Sequence, residues 1–109
     1  MKKPEQLAGL EEMLCRAANI KVASLKSPSK VQKIVDVRHT LWCIAYDHLG
    51  LAYAQIALYY NRDATTIMYG AKRMRGSQLV STLIVNIRAK KPELLENVLK
   101  EPGDDWGEI

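Results

Sequence analysis

The chain has 109 residues, of which 48% are hydrophobic, and a formal net charge of +4. This composition supports one small domain with its own core, and no apolar run approaches the roughly 20 residues that span a bilayer. Cys15 and Cys43 form no CxxC pair, so we expect buried free thiols and neither a disulfide scaffold nor a zinc site. The N-terminus has no signal-peptide core, and we expect a cytosolic protein without a cofactor or metal.

The first half of the chain predicts two helices separated by a loop. Apolar residues at helical spacing indicate a helix over residues 5–18, which Asn19 ends. Residues 23–26 are expected to form one helical turn before a Ser-Pro-Ser loop. A long helix follows over residues 30–48, and Gly50 stands at the favoured position after its end. The apolar residues expected to be buried in this part are Ile20, Val22, Val31, Ile34, Val35, Leu41, Trp42, Ala45 and Leu49.

Residues 51–74, LAYAQIALYYNRDATTIMYGAKRM, predict two short helices around a tight turn, the outline of a helix-turn-helix. Asn61 occupies the turn, where a left-handed backbone is needed, and Asp63 is placed to cap the second helix. The Asp63 carboxylate is expected to accept N–H bonds from Thr65 or Thr66. The stripe facing the core contains Ile67, Ala71 and Met74. The outer face is left with Ala64, Thr65, Met68, Tyr69, Lys72, Arg73 and, at the end of the helix, Arg75. This face suits a DNA major groove, although an ordinary helical hairpin has the same pattern.

The rest of the chain predicts more helix and an acidic end. A Gly-Ser pair precedes a helix over residues 78–89, and Pro92 begins a short helix over residues 92–99. The helix over residues 78–89 carries more apolar side chains than one core face requires, which leaves a homodimer or another protein partner open. We expect an all-α fold, with one small helical domain over residues 1–100 built around the helix-turn-helix and a flexible acidic tail over residues 101–109.

Charge is segregated along the chain. Residues 16–91 hold thirteen lysines and arginines against three aspartates, a net charge of +10, whereas residues 92–109 carry −5. A basic body of this kind is typical of a domain that binds a polyanion. RNA is one alternative, but RNA readers usually stack bases on exposed aromatic rings, and only Tyr60 and Tyr69 are candidates.

Four landmarks follow one another in residues 10–74. They are the segment IKVASL after a first helix, a basic loop, a long helix with Arg38 near its start, and the run RDATTI at residues 62–67. Together they resemble the C-terminal DNA-binding domain of the bacterial replication initiator DnaA. In that family the run reads Arg-Asp-His-Thr-Thr followed by a branched apolar residue, so five of the six positions agree.

The resemblance implies roles for individual residues. Asp63 and Thr65 look like readers of base edges in the major groove. Thr66 looks like a phosphate contact, and Arg62 like a structural or backbone-directed cation at the turn. The basic loop and helix start that straddle the phosphates are represented by Lys30, Lys33 and Arg38. With the outer face of the second helix, the implied DNA-binding set is Lys30, Lys33, Arg38, Arg62, Asp63, Ala64, Thr65, Thr66, Tyr69, Lys72 and Arg73.

Two positions depart from the family. Ala64 stands where the family has a histidine that helps to read a base, and it offers only a methyl contact. Asp36 falls where the family inserts an arginine into the minor groove, and a carboxylate there is repelled by DNA. These departures favour an alternative, a protein-interaction module that keeps the fold and has lost specific DNA binding.

The sequence contains no catalytic, nucleotide-binding or metal-binding motif beside these features. The chain has no Gly-rich phosphate loop followed by Lys-Ser/Thr, and no paired carboxylates or activated serine at catalytic spacing. His39 and His48 lie nine residues apart on one helix, too far for a shared metal. We therefore expect a double-stranded DNA-binding protein that is not an enzyme. It would act without an ATPase module as a regulator or accessory factor of replication or transcription, with a phage or mobile-element origin open.

Overall fold

The computed structural model describes residues 3–95, and every regular element within them is helical. The elements are α1 (Lys3–Ala18), α2 (Ala23–Lys26), α3 (Gln32–Asp47), α4 (Tyr53–Tyr60), α5 (Ala64–Met74), α6 (Gln78–Lys90) and a short 3-10 helix (Pro92–Leu94). The predicted all-α fold class is therefore confirmed. Of the short helix expected over residues 92–99, the structure shows a 3-10 helix that ends at Leu94, and Leu95 follows it as a bend. Residues 96–99 lie outside the described residues, as does the tail over residues 101–109.

The central helix α3 organises the core. It packs against α1, α2, α4 and α6, and most extensively against α5. The largest side chains that it and its neighbours bury are Leu7, Leu10, Leu25, Leu41, Trp42, Ile44, Leu49, Leu51, Ile56, Tyr60, Ile67 and Ile87. Each apolar side chain of this size contributes about 1.5–3 kcal/mol when fully buried. Cys15 and Cys43 are free and buried within the core, as predicted, and burial raises the pKa of each thiol to about 11.

Residues with a left-handed backbone end three helices where the sequence predicted. Asn19, after α1, has a φ of 57°, and Asn61, after α4, has a φ of 54°. Gly50, with a φ of 72°, lets the chain reverse after α3. Asparagine and glycine adopt this conformation at a lower free-energy cost than other residues. The ends of these three helices can therefore be predicted from the local sequence.

Two valines that were expected in the core lie on the surface. Val31 occupies the N-cap position of α3 with an extended backbone and is 60% exposed, so α3 begins two residues later than predicted. Val22 precedes the single turn of α2 and is 42% exposed, because this turn buries only Leu25. Periodicity assigned both valines wrongly, since a residue before a helix does not follow the spacing of the helix.

A buried carboxylate joins α1 to the end of α4. Glu11 is 4% exposed and accepts hydrogen bonds from the Tyr60 hydroxyl at 2.8 Å and the Tyr59 hydroxyl at 3.1 Å. The two tyrosine rings contact each other edge to face. Because Tyr60 directly precedes Asn61, these contacts fix the start of the turn relative to α1.

Helix α6 has apolar side chains on two sides. Val80, Ile84 and Ile87 are buried, whereas Leu79 and Val85 are exposed. This is the apolar surplus that the sequence indicated. A homodimer through α6 stays a prediction.

Candidate nucleic-acid interface

Helices α4 and α5 and the turn between them form a helix-turn-helix. The chain reverses at Asn61, whose left-handed conformation allows the Arg62 N–H to donate to the Ala57 carbonyl at 2.9 Å. Asp63 then takes an extended conformation, and its carbonyl accepts the first helical bond of α5 from Ile67 at 3.2 Å. The turn is thus closed by backbone bonds, and the first turn of α5 projects from the domain.

Helix α5 is divided into an inner and an outer face as predicted. Ile67 and Ala71 are fully buried and Met74 is 8% exposed. The exposed residues of the outer face are Ala64, Thr65, Thr66, Tyr69, Lys72 and Arg73, and Met68 is half-buried among them. Tyr69 is 63% exposed and lies with Thr65 and Lys72 around one open depression. The outer face therefore offers a hydroxyl, an aromatic ring and cations to a ligand.

The expected side-chain cap of α5 is absent. Asp63 occupies the N-cap position, but its carboxylate accepts no hydrogen bond from the first turn of the helix. It is exposed and has no side-chain partner among residues 3–95. The negative group stays at the helix N-terminus, where the helix dipole favours it, and its acceptor oxygens face outward.

Arg38 is not on the surface, which corrects its predicted role as a phosphate contact. Its side chain is 4% exposed and donates four hydrogen bonds, all to backbone carbonyls. The acceptors are Leu25 at 3.0 Å, Ser27 at 3.0 Å, Ser29 at 3.2 Å and Ser24 at 3.3 Å. Burial and the nearby charge of Arg62 lower the pKa of the Arg38 guanidinium. Arg38 therefore holds the backbone of the basic loop from its buried side.

Arg62 links the helix-turn-helix to the same loop. Its guanidinium donates to the Ser27 carbonyl at 2.6 Å, so Arg38 and Arg62 converge on one oxygen. It also lies 5.8 Å from the Trp42 ring centre, and its Nε atom is buried without a hydrogen-bond partner in the described part of the chain. Of the two roles left open by the sequence, these contacts favour the structural one.

The basic loop, residues 27–31, is closed by internal hydrogen bonds and carries Lys30. Ser27 Oγ donates to the Ser24 carbonyl at 2.7 Å and accepts from the Ser29 N–H at 3.3 Å. Lys30 lies on this loop and Lys33 on the first turn of α3, and both are exposed. Along residues 3–95, Lys30, Lys33 and Lys72 take part in no ion pair. The loop, the first turn of α3 and the outer face of α5 therefore each carry an exposed lysine that is unpaired within residues 3–95.

Arg73, by contrast, is already paired. Its NH2 lies 2.7 Å from Asp36 Oδ1, and its NH1 lies 3.0 Å from His39 Nδ1. The hydrogen bond from Arg73 keeps the pKa of Asp36 below its usual value. Burial, followed by the charges of Arg73 and Arg38, lowers the pKa of His39 to about 4. His39 is therefore neutral near pH 7, and its Nδ1 is the acceptor because an arginine can only donate.

A second ion pair holds the end of α5. Arg75 donates from two nitrogens to the Asp47 carboxylate, both at 2.9 Å, and lies 5.6 Å from the Tyr46 ring centre. This hydrogen bonding keeps the pKa of Asp47 below its usual value. The sequence showed that Asp36, Asp47 and His39 were present, but only the crossing of α3 and α5 brings them to these arginines.

Lys26 is a basic residue that the sequence analysis did not assign to the site. Its Nζ lies 4.1 Å from the Tyr59 ring centre, beside a shallow depression that Pro28, Asn61 and Arg62 also line. Its position in the sequence, next to the Ser-Pro-Ser loop, could have indicated it.

Across residues 3–95, no three histidine, cysteine or acidic side chains gather as metal ligands would. Within the same residues, no helix is long and apolar enough to cross a membrane.

A comparison with protein families agrees with this geometry. The family described as bacterial dnaA protein helix-turn-helix matches residues 9–74, which is more than half of the chain. The match begins within α1 and ends at the last residue of α5, so it includes the basic loop and both helices of the motif. Searches of curated proteins and of solved structures returned no match. The chain belongs to the helix-turn-helix, DNA-binding domain family of the bacterial DnaA proteins.

Proposed function

We propose that this protein binds double-stranded DNA by placing the first turn of α5 in the major groove. The observation that carries the proposal is the outer face of α5, where Asp63, Thr65 and Lys72 are exposed and unpaired beside a fixed basic loop. Residues 1–109 contain no Gly-rich phosphate loop, and the proposed role of these residues uses no ATPase step of their own. The role of the protein would be that of a regulator or accessory factor of replication or transcription in the cytoplasm.

The first turn of α5 would read the bases. The free carboxylate of Asp63 can accept from the N4 amino group of a cytosine, and the Thr65 hydroxyl can donate or accept at a base edge. Ala64 offers a methyl group for contact with the methyl group of a thymine. Together these groups would prefer particular base pairs. The preferred site would differ from the usual initiator box at the base that the family's histidine reads, because Ala64 stands at that position.

The lysines would hold the phosphates. Lys30 lies on the basic loop, Lys33 on the first turn of α3 and Lys72 on the outer face of α5, and in the proposed complex they flank the groove that α5 enters. Thr66 adds a hydroxyl near the helix N-terminus, a position that suits a phosphate oxygen. Arg38 and Arg62 serve indirectly, because they hold the loop that carries Lys30.

The test is a fluorescence-anisotropy titration of labelled duplexes, one with an initiator-type box and one scrambled, at two salt concentrations. Where the box is preferred, Thr65→Ala should reduce discrimination by about 1–3 kcal/mol, or about 5- to 150-fold. Lys72→Glu should weaken binding to every duplex alike and reduce the salt slope by about 1. Thr82→Ala and Lys90→Glu, which alter exposed residues of α6, are the matched controls.

The outcomes separate the alternatives. Equal, salt-sensitive binding to both duplexes would leave a DNA-binding protein of another specificity, and selection from a random duplex library would then identify its site. Binding to RNA alone would replace the proposal, although Tyr60 is only 2% exposed and leaves Tyr69 as the stacking candidate on this face. Absence of binding to any duplex at low salt would refute DNA binding and turn attention to a protein partner at the exposed side of α6.

A further inference from the structure

We propose that Asp36 restrains the attraction of this face for the DNA backbone and thereby makes binding depend on base contacts. It does so by engaging Arg73 of α5 and by placing a negative charge in α3, three residues after the exposed Lys33. The inference rests on the proposed DNA-binding function and adds to it a residue that determines specificity without contacting a base.

Both terminal nitrogens of Arg73 are engaged near Asp36. One terminal nitrogen of Arg73 bonds to Asp36 Oδ1 at 2.7 Å and the other meets His39 Nδ1 at 3.0 Å. Gln32 Nε2 donates to the same Asp36 oxygen at 2.7 Å, which holds the carboxylate in position from its own helix. Arg73 is thus the one residue on the outer face of α5 whose positive charge is balanced within the domain, while Lys72 beside it is unpaired.

Stability does not require this pair. The side chains of Arg73 and Asp36 are 36% and 35% exposed, and ion pairs with that access to solvent contribute about 0–1 kcal/mol. The larger consequence falls on a polyanion that approaches the face. Asp36 is one of three acidic residues among residues 16–91, and it lies in the first half of α3, three residues after Lys33.

Two states of the pair lead to the same result when a duplex binds. If Arg73 stays with Asp36, the pair contributes no net charge to the contact with phosphate. If Arg73 moves to a phosphate, Asp36 is left unpaired near the DNA backbone and repels it. In either case the face neutralises about one phosphate fewer than its cations suggest, and non-specific binding consists mainly of such contacts.

The experiment measures how the dissociation constant of the full chain depends on salt, with a labelled 20-base-pair duplex of arbitrary sequence. Asp36→Asn keeps the shape and removes the charge, so it should steepen the plot of log affinity against log salt by about 0.9. Between 200 and 50 mM salt, affinity should therefore rise about threefold more in the variant than in the wild type. The ratio between a duplex selected by the wild type and the arbitrary duplex should fall.

Asp47→Asn is the matched control. It makes the same chemical change and releases Arg75, another arginine at the end of α5, but it lies eleven residues further along α3, about 16 Å away. We expect it to leave the salt slope unchanged. The double variant Asp36→Asn with Arg73→Gln should return to the wild-type slope, because the released arginine is then missing.

Each outcome decides the inference. A steeper slope for Asp36→Asn alone, reversed in the double variant, supports it. An unchanged slope, with both proteins binding DNA, overturns it and leaves the proposed function intact. An equal effect of Asp47→Asn shows that net charge is responsible and also overturns it. If neither the wild type nor Asp36→Asn binds any duplex, both proposals fail. Thermal unfolding followed by circular dichroism verifies that each variant is folded.

Discussion

Gly70 of α5 lies directly against the indole of Trp42 in α3. A Cβ atom at Gly70 would stand 2.7 Å from Trp42 Cε3 and 2.6 Å from His39 Cδ2, closer than atoms pack without a shift. The two helices therefore cross at a point where one of them has no side chain. This crossing sets the distance of α5 from the core and brings Arg73 to Asp36.

We predict that Gly70→Ala lowers the free energy of unfolding by about 1–3 kcal/mol, because the added methyl group meets two packed rings. The direction of this change in stability is informative, because a Gly→Ala substitution within an exposed helix raises the free energy of unfolding by roughly 1 kcal/mol. Urea unfolding followed by circular dichroism measures the effect. Gly9→Ala in α1 is the control, because there the Cβ meets only the flexible end of Leu94. A higher unfolding midpoint for Gly70→Ala would contradict the packing described.

Arg38 is predicted to act on stability and loop geometry and not on phosphates. Arg38→Met should cost about 3 kcal/mol, because buried carbonyls lose charged donors. Arg38→Lys should recover less than half of that loss, since one ammonium cannot reproduce the planar set of donors. Chemical denaturation measures both, with the exposed Arg88→Met as a control expected to stay within about 0.5 kcal/mol. An unchanged unfolding midpoint for Arg38→Met would contradict this structural role.

The tyrosine pair at Glu11 gives a third prediction. Burial and the Glu11 charge raise the pKa of Tyr60 well above its usual value, and they raise the pKa of Tyr59 to about 12. Tyr60→Phe should lower the free energy of unfolding by about 1.5–3 kcal/mol, because a buried carboxylate loses a donor. Tyr59→Phe should cost less, since Tyr59 is only half-buried. Equal unfolding midpoints for Tyr60→Phe and the wild type would show that Glu11 finds another donor.

His39 makes stability depend on pH. Its pKa is about 4 in the folded protein, against an ordinary value of 6.5. The unfolded chain therefore binds the proton first, so the free energy of unfolding should fall as the pH is lowered from about 6.5 towards 4. Because the ring is partly solvated, we expect a loss of about 1 kcal/mol between pH 7 and pH 5.

Urea unfolding at the two pH values measures the His39 effect. Asp36 and Asp47 have lowered pKa values and stay ionised over this interval, so they do not contribute to it. His39→Gln should reduce the difference between pH 7 and pH 5, whereas His48→Gln should retain it. If His39→Gln keeps the full difference, another group is responsible for it.

Local features of the sequence were sufficient to predict most of the helix-turn-helix. Asn61 marks the turn because it tolerates the left-handed conformation, and the spacing of Ile67, Ala71 and Met74 identifies the inner face of α5. Both depend on residues only a few positions apart. The outer residues of α5, including Thr65 and Tyr69, followed from the same spacing.

Roles that depend on distant residues could not be predicted in this way. Arg38 and Arg73 were both predicted to contact DNA. In the structure Arg38 is buried beneath the basic loop, whereas Arg73 is paired with Asp36. The Asp63 carboxylate was expected to cap α5 and instead faces outward, because backbone geometry at an N-cap does not fix the side chain.

The sequence by itself therefore determined the all-α class, the position of the turn and the exposed face of α5, since each follows from helical periodicity and turn chemistry. The tertiary structure alone decided which cations are available to a ligand. That depends on where α3 crosses α5, and the Gly70 contact sets this crossing through packing between residues far apart in the chain.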